Sequence, residues 1–202
     1  SSCGEGGGAA PLQDAHCESV RQAVGQWQRE GMYVLAVARK EASAAEAIDE
    51  AEQGMTFLGL QALMDPPRSE AAEAIARAQG AGIRVVMITG DNGLTAQAIA
   101  KQLGIGERVA EAREMEGLSR QALNERMKKV DIVARATPQI KQQVLQALQD
   151  AGHFVAMTGD GVNDATALKQ SDVGVAMGLR GTDIAKESAA MVLLDDNFTT
   201  IV

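Results

Sequence analysis

Three residues with hard oxygen atoms fall close together in one loop: Asp160, Asn163 and Asp164. They close the stretch Val155-Ala156-Met157-Thr158-Gly159-Asp160-Gly161-Val162-Asn163-Asp164, which begins as an apolar run. If a helix starts at Asp164, Asp160 and Asp164 can converge on one point. A few hard oxygens, with room left for water and phosphate, suit Mg²⁺ rather than Zn²⁺. The same residues also suit a capped turn, because Asp, Gly and Asn are turn formers. The residue pattern leaves both readings open. A second run, Val86-Met87-Ile88-Thr89-Gly90-Asp91-Asn92, ends in nearly the same way. A Thr hydroxyl and a Gly backbone can approach a phosphate closely, and a following helix N-terminus supplies N–H donors. Thr89-Gly90-Asp91 taken alone fits an ordinary strand, glycine turn and helix cap equally well.

Other polar residues carry weaker signals. Lys141 lies one turn into a helix opened by Pro138 and by pattern reads as a solvated lysine. Asp65-Pro66-Pro67-Arg68 reads as a rigid connector that leaves Arg68 exposed. His16 and His153 lack partners at ligand or triad spacing, and Cys3 and Cys17 do not make a zinc pair. Thiols of this kind suit a reducing, cytoplasmic setting.

The elements that position these residues follow from periodicity. Residues 14–28 carry Val20, Ala23, Val24 and Trp27 at helical spacing, and Gly31 closes that helix. Strands are expected at 33–38 and 56–63, with an Ala- and Glu-rich helix at 43–53 between them. Residues 1–11 are Gly-rich and read as a flexible linker or a cloning remnant. From Asp65 onward the rhythm becomes strand, loop, helix. Ser69 is placed to cap a helix through Gln79. Strands follow at 83–88, 131–134, 154–157, 173–177 and 191–194. Helices follow at 94–103, 119–128, from Pro138, at 164–170 and at 182–188. Near-continuous apolar strands alternating with helices predict an α/β fold, a Rossmann-type parallel sheet with flanking helices. Ligands of such sheets bind beyond the carboxyl ends of the strands, where both Thr-Gly-Asp turns fall.

Composition bounds the function. The 202 residues are 46% hydrophobic and 23% charged, which excludes disorder, collagen and a disulfide scaffold. Aromatics are 2% of the chain and the formal net charge is −8, so nucleic acid is not an expected partner. The apolar runs are strand-length, far short of the ~20 residues that cross a bilayer.

Taken together, the motifs are specific. Thr158-Gly159-Asp160-Gly161-Val162-Asn163-Asp164-Ala165, with Leu168-Lys169 and Asp172-Val173-Gly174-Val175-Ala176-Met177-Gly178, resembles the signature of P-type cation-transporting ATPases. So do Met87-Ile88-Thr89-Gly90-Asp91 and Asp65-Pro66-Pro67-Arg68. The last residues, Asp195-Asp196-Asn197-Phe198-Thr199-Thr200-Ile201-Val202, resemble the segment just before a membrane helix in the calcium and sodium/potassium pump branch. The resemblance covers residues 31–202. It implies a haloacid-dehalogenase-like phosphorylation domain over 65–202 and a C-terminal remnant of an α+β nucleotide-binding domain over 12–64. It implies that Asp160 and Asp164 serve Mg²⁺, with Asn163 helping to organise the site. Thr89 and Gly90 would hold the phosphoryl group with Asp91 close by, Lys141 would contact the transferred phosphate, and Arg68 would meet the nucleotide. The implied cofactors are Mg²⁺ and ATP. The implied partners are the rest of the pump, namely its nucleotide domain, actuator domain and transmembrane helices, on the cytoplasmic side of a membrane. The transported cation, with Ca²⁺ the leading candidate, would bind elsewhere.

The departures carry equal weight. The family's nucleophile sits in Asp-Lys-Thr-Gly-Thr, a stretch these residues do not contain. Thr166 stands where the family usually has proline. Without the nucleophile these residues are not expected to hydrolyse ATP alone. The strand that carries it is expected at the sheet centre, so lowered stability, or a gap filled by another segment or partner, is expected too. Two alternatives stay open: a Mg²⁺/phosphate-binding regulatory module without catalysis, or a soluble phosphatase of the haloacid-dehalogenase class. For the latter, Asp14 is the one early nucleophile candidate.

Overall fold

In the computed structural model, which describes residues 2–5, 8–41 and 53–201, the chain divides into two compact units, Ser1–Asp65 and Pro66–Val202. In the first, aliphatic and β-branched residues build β3 (Tyr33–Arg39) and β4 (Thr56–Leu63), an antiparallel pair with an irregularity between Val37 and Ala38. Helix α1 (Asp14–Arg29) turns Val20, Ala23, Val24 and Trp27 inward, none of them fully buried. Residues 2–5 and 8–11 depart from the linker expectation. β1 (Ser2–Glu5) and β2 (Gly8–Pro11) pair antiparallel, and β1 runs parallel to β4. The sheet order is β2-β1-β4-β3. The physical reason is that the β4 edge offers backbone partners even to a segment with little side-chain preference. The helix expected over 43–53 falls almost wholly outside the described residues.

The second unit supplies the strand–helix alternation. Its helices are α2 (Ala71–Gly80), α3 (Gly93–Gln102), α4 (Arg120–Met127), α5 (Pro138–Asp150), α6 (Ala165–Gln170) and α7 (Asp183–Ser188). Its strands are β5 (Met87–Ile88), β6 (Val109–Glu111), β7 (Ile132–Ala134), β8 (Ala156–Gly159), β9 (Val173–Met177) and β10 (Met191–Leu193). Every pairing among these strands is parallel. They form two three-stranded sheets, β5-β7-β6 and β10-β9-β8.

The core is aliphatic, as the scarcity of aromatics requires. One face of the first sheet packs Val133, Met115 and Met127 against Ile140, Val144 and Ala147 of α5. Its other face packs Ile132 against Ile75, Ala96 and Ala100. A smaller cluster of Leu168, Ala176 and Ala185 covers the second sheet. Strands buried on both faces explain the continuous apolar runs.

Three local expectations change. Ser69 does not cap α2: Glu70 stands at the N-cap, and the Ser69 hydroxyl donates to the Glu70 carboxylate. The strand expected at 83–88 shortens to β5, and that expected at 154–157 shifts to β8. A strand with no pronounced pattern, β6, joins the first sheet because Val109 and Ala110 pair with Ile132 and Val133.

Candidate functional site

The loops after β5, β7, β8 and β9 leave the carboxyl ends of parallel strands, and hydrogen bonds tie them together. After β5, the Thr89 hydroxyl donates to Asp91 Oδ2 (3.1 Å), and the Asp91 N–H donates back to Thr89 Oγ1 (3.1 Å). Asn92 then caps α3, its Oδ1 accepting from the Thr95 N–H at 3.0 Å. After β7, the Arg135 N–H donates to the Asp91 carbonyl (2.8 Å) and the Ala136 N–H to the Thr89 carbonyl (2.9 Å). These two bonds join the Thr-Gly-Asp turn to the start of α5, where Thr137 caps the helix and Pro138 occupies its first turn.

From α5, Lys141 reaches across to the loop after β8. Its Nζ donates to Asp164 Oδ1 at 2.6 Å. The other carboxylate oxygen of Asp164 accepts from the Gly161 N–H at 3.3 Å. Gly159 lies so close that a Cβ there would meet the Asp164 side chain at 2.6 Å. That glycine is required by the close approach, not by a turn. Asp164 is buried, while Asp160 and Asn163 in the same loop are exposed. The Asp160 carbonyl accepts from the Thr182 N–H (2.8 Å), which adds the loop after β9 to the group.

Of the residues singled out in the sequence, the fold joins Lys141 to Asp164 directly and places Thr89, Gly90, Asp91, Asp160 and Asn163 on the linked loops. Arg68 lies elsewhere. Its guanidinium donates to the Asp196 carbonyl and pairs with the Asp196 carboxylate at 3.7 Å. Asp196 is buried and also accepts from the N–H groups of Leu179 (2.9 Å) and Arg180 (3.1 Å).

Sequence reading passed over three contributors. Thr182 caps α7 and holds Asp160. Asp196 clasps Arg68. Arg135 adopts φ +54°, a left-handed conformation that a non-glycine residue takes at some cost. Only the first had a legible cue, a Thr just before a helix.

The donor set fits a divalent cation with few protein ligands. Asp164 already neutralises a cation, the Lys141 ammonium, and Asp160 is an exposed carboxylate in the same loop. No group of three or more His, Cys, Asp or Glu able to hold a metal occurs among the described residues. Asp160 and Asp164 make a pair of carboxylates of the kind that holds Mg²⁺ alongside waters and phosphate oxygens. It does not suit a closed zinc site. An apolar hollow of about 350 Å³ lies instead in the first unit, lined by Leu12, Cys17, Val20, Ala38, Met55 and Phe57. It offers no carboxylate to a metal.

Parallel strands with intervening helices, and carboxylates gathered at the strand ends, define a Rossmann-like α/β architecture. The chain belongs to the haloacid dehalogenase-like hydrolase family, whose model matches residues 13–172. Among curated proteins it is similar to Calcium-transporting ATPase 1 of Yarrowia lipolytica, at 42% identity over 99% of this chain and 22% of that protein. It is 47% identical to the Cation-transporting ATPase pma1 of Synechocystis, over 90% of this chain and 21% of that protein. It is 46% identical to P-type sodium-transporting ATPase4 of Toxoplasma gondii, over 83% of this chain and 14% of that protein. The chain spans about a fifth or less of the length of these relatives. No helix among the described residues is long and apolar enough to cross a membrane.

Proposed function

We propose that this chain provides the Mg²⁺/phosphate site of an ATP-driven cation pump, where an aspartyl-phosphate forms and is hydrolysed in step with ion transport. In this reading 65–202 is the phosphorylation domain, 12–64 the tail of a nucleotide-binding domain, and the nucleophilic aspartate comes from a segment outside these residues. The Lys141–Asp164 pair carries the reading, because it joins an ammonium to a buried carboxylate on a helix whose preceding loop is hydrogen-bonded to the Thr-Gly-Asp turn. Family membership and the pump relatives support it.

Phosphoryl transfer is mostly positioning and stabilisation of spread negative charge. Lys141 supplies a cation to phosphate oxygens, Thr89 a hydroxyl, and Gly90 a backbone N–H without a Cβ in the way. Asp160 and Asp164 would hold Mg²⁺, which when bound neutralises phosphate charge. Asn163 orients the loop. Arg68 would meet nucleotide only after leaving Asp196. The ion itself is left open, since relatives named for calcium and for sodium are similar to this chain.

On its own the chain is expected not to turn over ATP, for want of the nucleophile. The alternative phosphatase reading needs Asp14, which is the first residue of α1 and not the end of a parallel strand. Titration calorimetry with Mg²⁺ and beryllium fluoride tests the proposal. Weak binding that disappears in Asp160→Ala is expected. Undiminished binding in that variant overturns the metal assignment.

A further inference from the structure

Strand β7 alternates between its two neighbours. Asp131 and Val133 turn toward β5, their carbonyls accepting from the Met87 and Thr89 N–H groups, both at 2.9 Å. Ile132 turns the other way, its N–H donating to the Arg108 carbonyl just before β6 (3.1 Å). In a parallel strand successive residues bond to opposite sides. By that rule Arg135 faces β5 and Ala136 faces away. The chain breaks the rule. The Arg135 N–H donates to the Asp91 carbonyl at 2.8 Å, and the Ala136 N–H donates to the Thr89 carbonyl at 2.9 Å. Two successive N–H groups therefore grip one Thr-Gly-Asp turn. The left-handed conformation of Arg135, φ +54°, makes this possible by turning the next peptide back toward β5.

A residue with a Cβ takes that conformation at a cost which glycine avoids and asparagine largely avoids. The Arg135 side chain is exposed, so packing does not impose it. Strain of this kind persists where the surroundings over-determine it. Here the two hydrogen bonds do so. On one side they hold Thr89, Gly90 and Asp91. On the other side Thr137 caps α5, and Lys141 stands one turn along that helix with its Nζ 2.6 Å from Asp164 Oδ1.

We propose that Arg135 is a positioning residue for the phosphoryl site. Its left-handed backbone, not its guanidinium, fixes the Thr89-Gly90-Asp91 turn against the helix that carries Lys141. The hydroxyl and N–H groups of the turn and the ammonium of the helix then meet one phosphate as a preset group. The clamp stands on the two hydrogen bonds; its role in binding rests on the phosphoryl reading.

The test uses the full chain and three variants that all remove the guanidinium: Arg135→Gly, Arg135→Asn and Arg135→Val. Valine is β-branched and resists positive φ most strongly. Amide exchange at Ala136 is followed by NMR, with Val175 in the other sheet as the control for folding. Arg135→Val is expected to speed exchange at Ala136 about tenfold and to leave Val175 unchanged. Arg135→Gly and Arg135→Asn are expected to keep the slow exchange of the parent. If Arg135→Val exposes Val175 as well, Arg135→Ala takes its place, with an intermediate effect expected. Equal exchange at Ala136 in every variant overturns the clamp. Titration with Mg²⁺ and beryllium fluoride then reads the role. Weaker binding in Arg135→Val, restored in Arg135→Gly and Arg135→Asn, is expected. Equal weakening in all three means that the guanidinium itself meets the ligand and overturns the proposal, and so does equal binding in all three. If the parent chain binds no beryllium fluoride, the phosphoryl reading falls and takes the positioning role with it, while exchange at Ala136 still decides the clamp.

Discussion

The Lys141 ammonium lies 2.6 Å from Asp164 Oδ1, and the two side chains are only 17% and 10% exposed. An ion pair so enclosed is costly to break from one side, because the remaining charge stays buried without its partner. Lys141→Met is therefore expected to lower unfolding stability by about 3 kcal/mol in urea denaturation. Adding Asp164→Leu should recover part of that loss. A double-variant loss equal to the sum of the two single-variant losses would mean that the pair is not coupled.

Acid should unfold the second unit through identifiable carboxylates. The Arg108 guanidinium, donating to both carboxylate oxygens of Asp131 at 2.8 and 2.7 Å, holds that group below its usual range against the opposing effect of burial. At Asp196 burial pushes upward, but the N–H groups of Leu179, Arg180 and Gly178 and the charge of Arg68 outweigh it. A depressed folded pKa contributes stability above the unfolded value, and that stability is lost as pH falls through the folded one. The Tm is thus expected to hold from neutral pH to about 4, the ordinary aspartate value, and to drop below it. Asp131→Asn should start lower and fall less steeply in a pH series of thermal melts.

Removing the Arg68 guanidinium leaves buried Asp196 without its cation, although the N–H groups of Leu179 and Arg180 remain. Arg68→Met is expected to cost about 1–2 kcal/mol and to speed amide exchange at Leu179 and Arg180. Unchanged exchange there would show that the clasp does not need the arginine.

Two glycines separate fold from chemistry. A Cβ at Gly174 would collide with the Leu168 carbonyl, backbone against backbone, whereas a Cβ at Gly90 meets nothing within 4 Å. Gly174→Ala should destabilise by about 3 kcal/mol, in the range of overpacked sites. Gly90→Ala should keep the parent Tm and lose Mg²⁺-dependent beryllium fluoride binding. Retained binding in Gly90→Ala would remove that glycine from the phosphate site.

Much of the second unit was legible in the sequence. The strand at Val173–Met177 falls where its apolar run does, and Pro138 stands in the first turn of the helix it was expected to open. These are local effects, set by side chains within a few residues. What stayed hidden depends on partners far along the chain. Arg68 is 128 positions from the carbonyl that holds it, and nothing in its neighbourhood marks that bond. β6 forms because β7 offers an edge, and among the described residues no strand pairs with the other side of β5. The Lys141–Asp164 contact lies between these cases. Each residue stands in a readable motif, but only the parallel crossover through α5 brings them together.

The Arg68–Asp196 clasp has a mechanical consequence. Arg68 stands two residues past the start of the second unit and Asp196 six before its end, so the unit's inlet and outlet share one small patch. Phe198 strengthens the patch by packing in the cluster that contains Ile75 of α2. A body fastened at a single point can swing as a whole but cannot be stretched between two anchors. A pull applied between Arg68 and Asp196 would therefore load that one clasp before it reached the sheets.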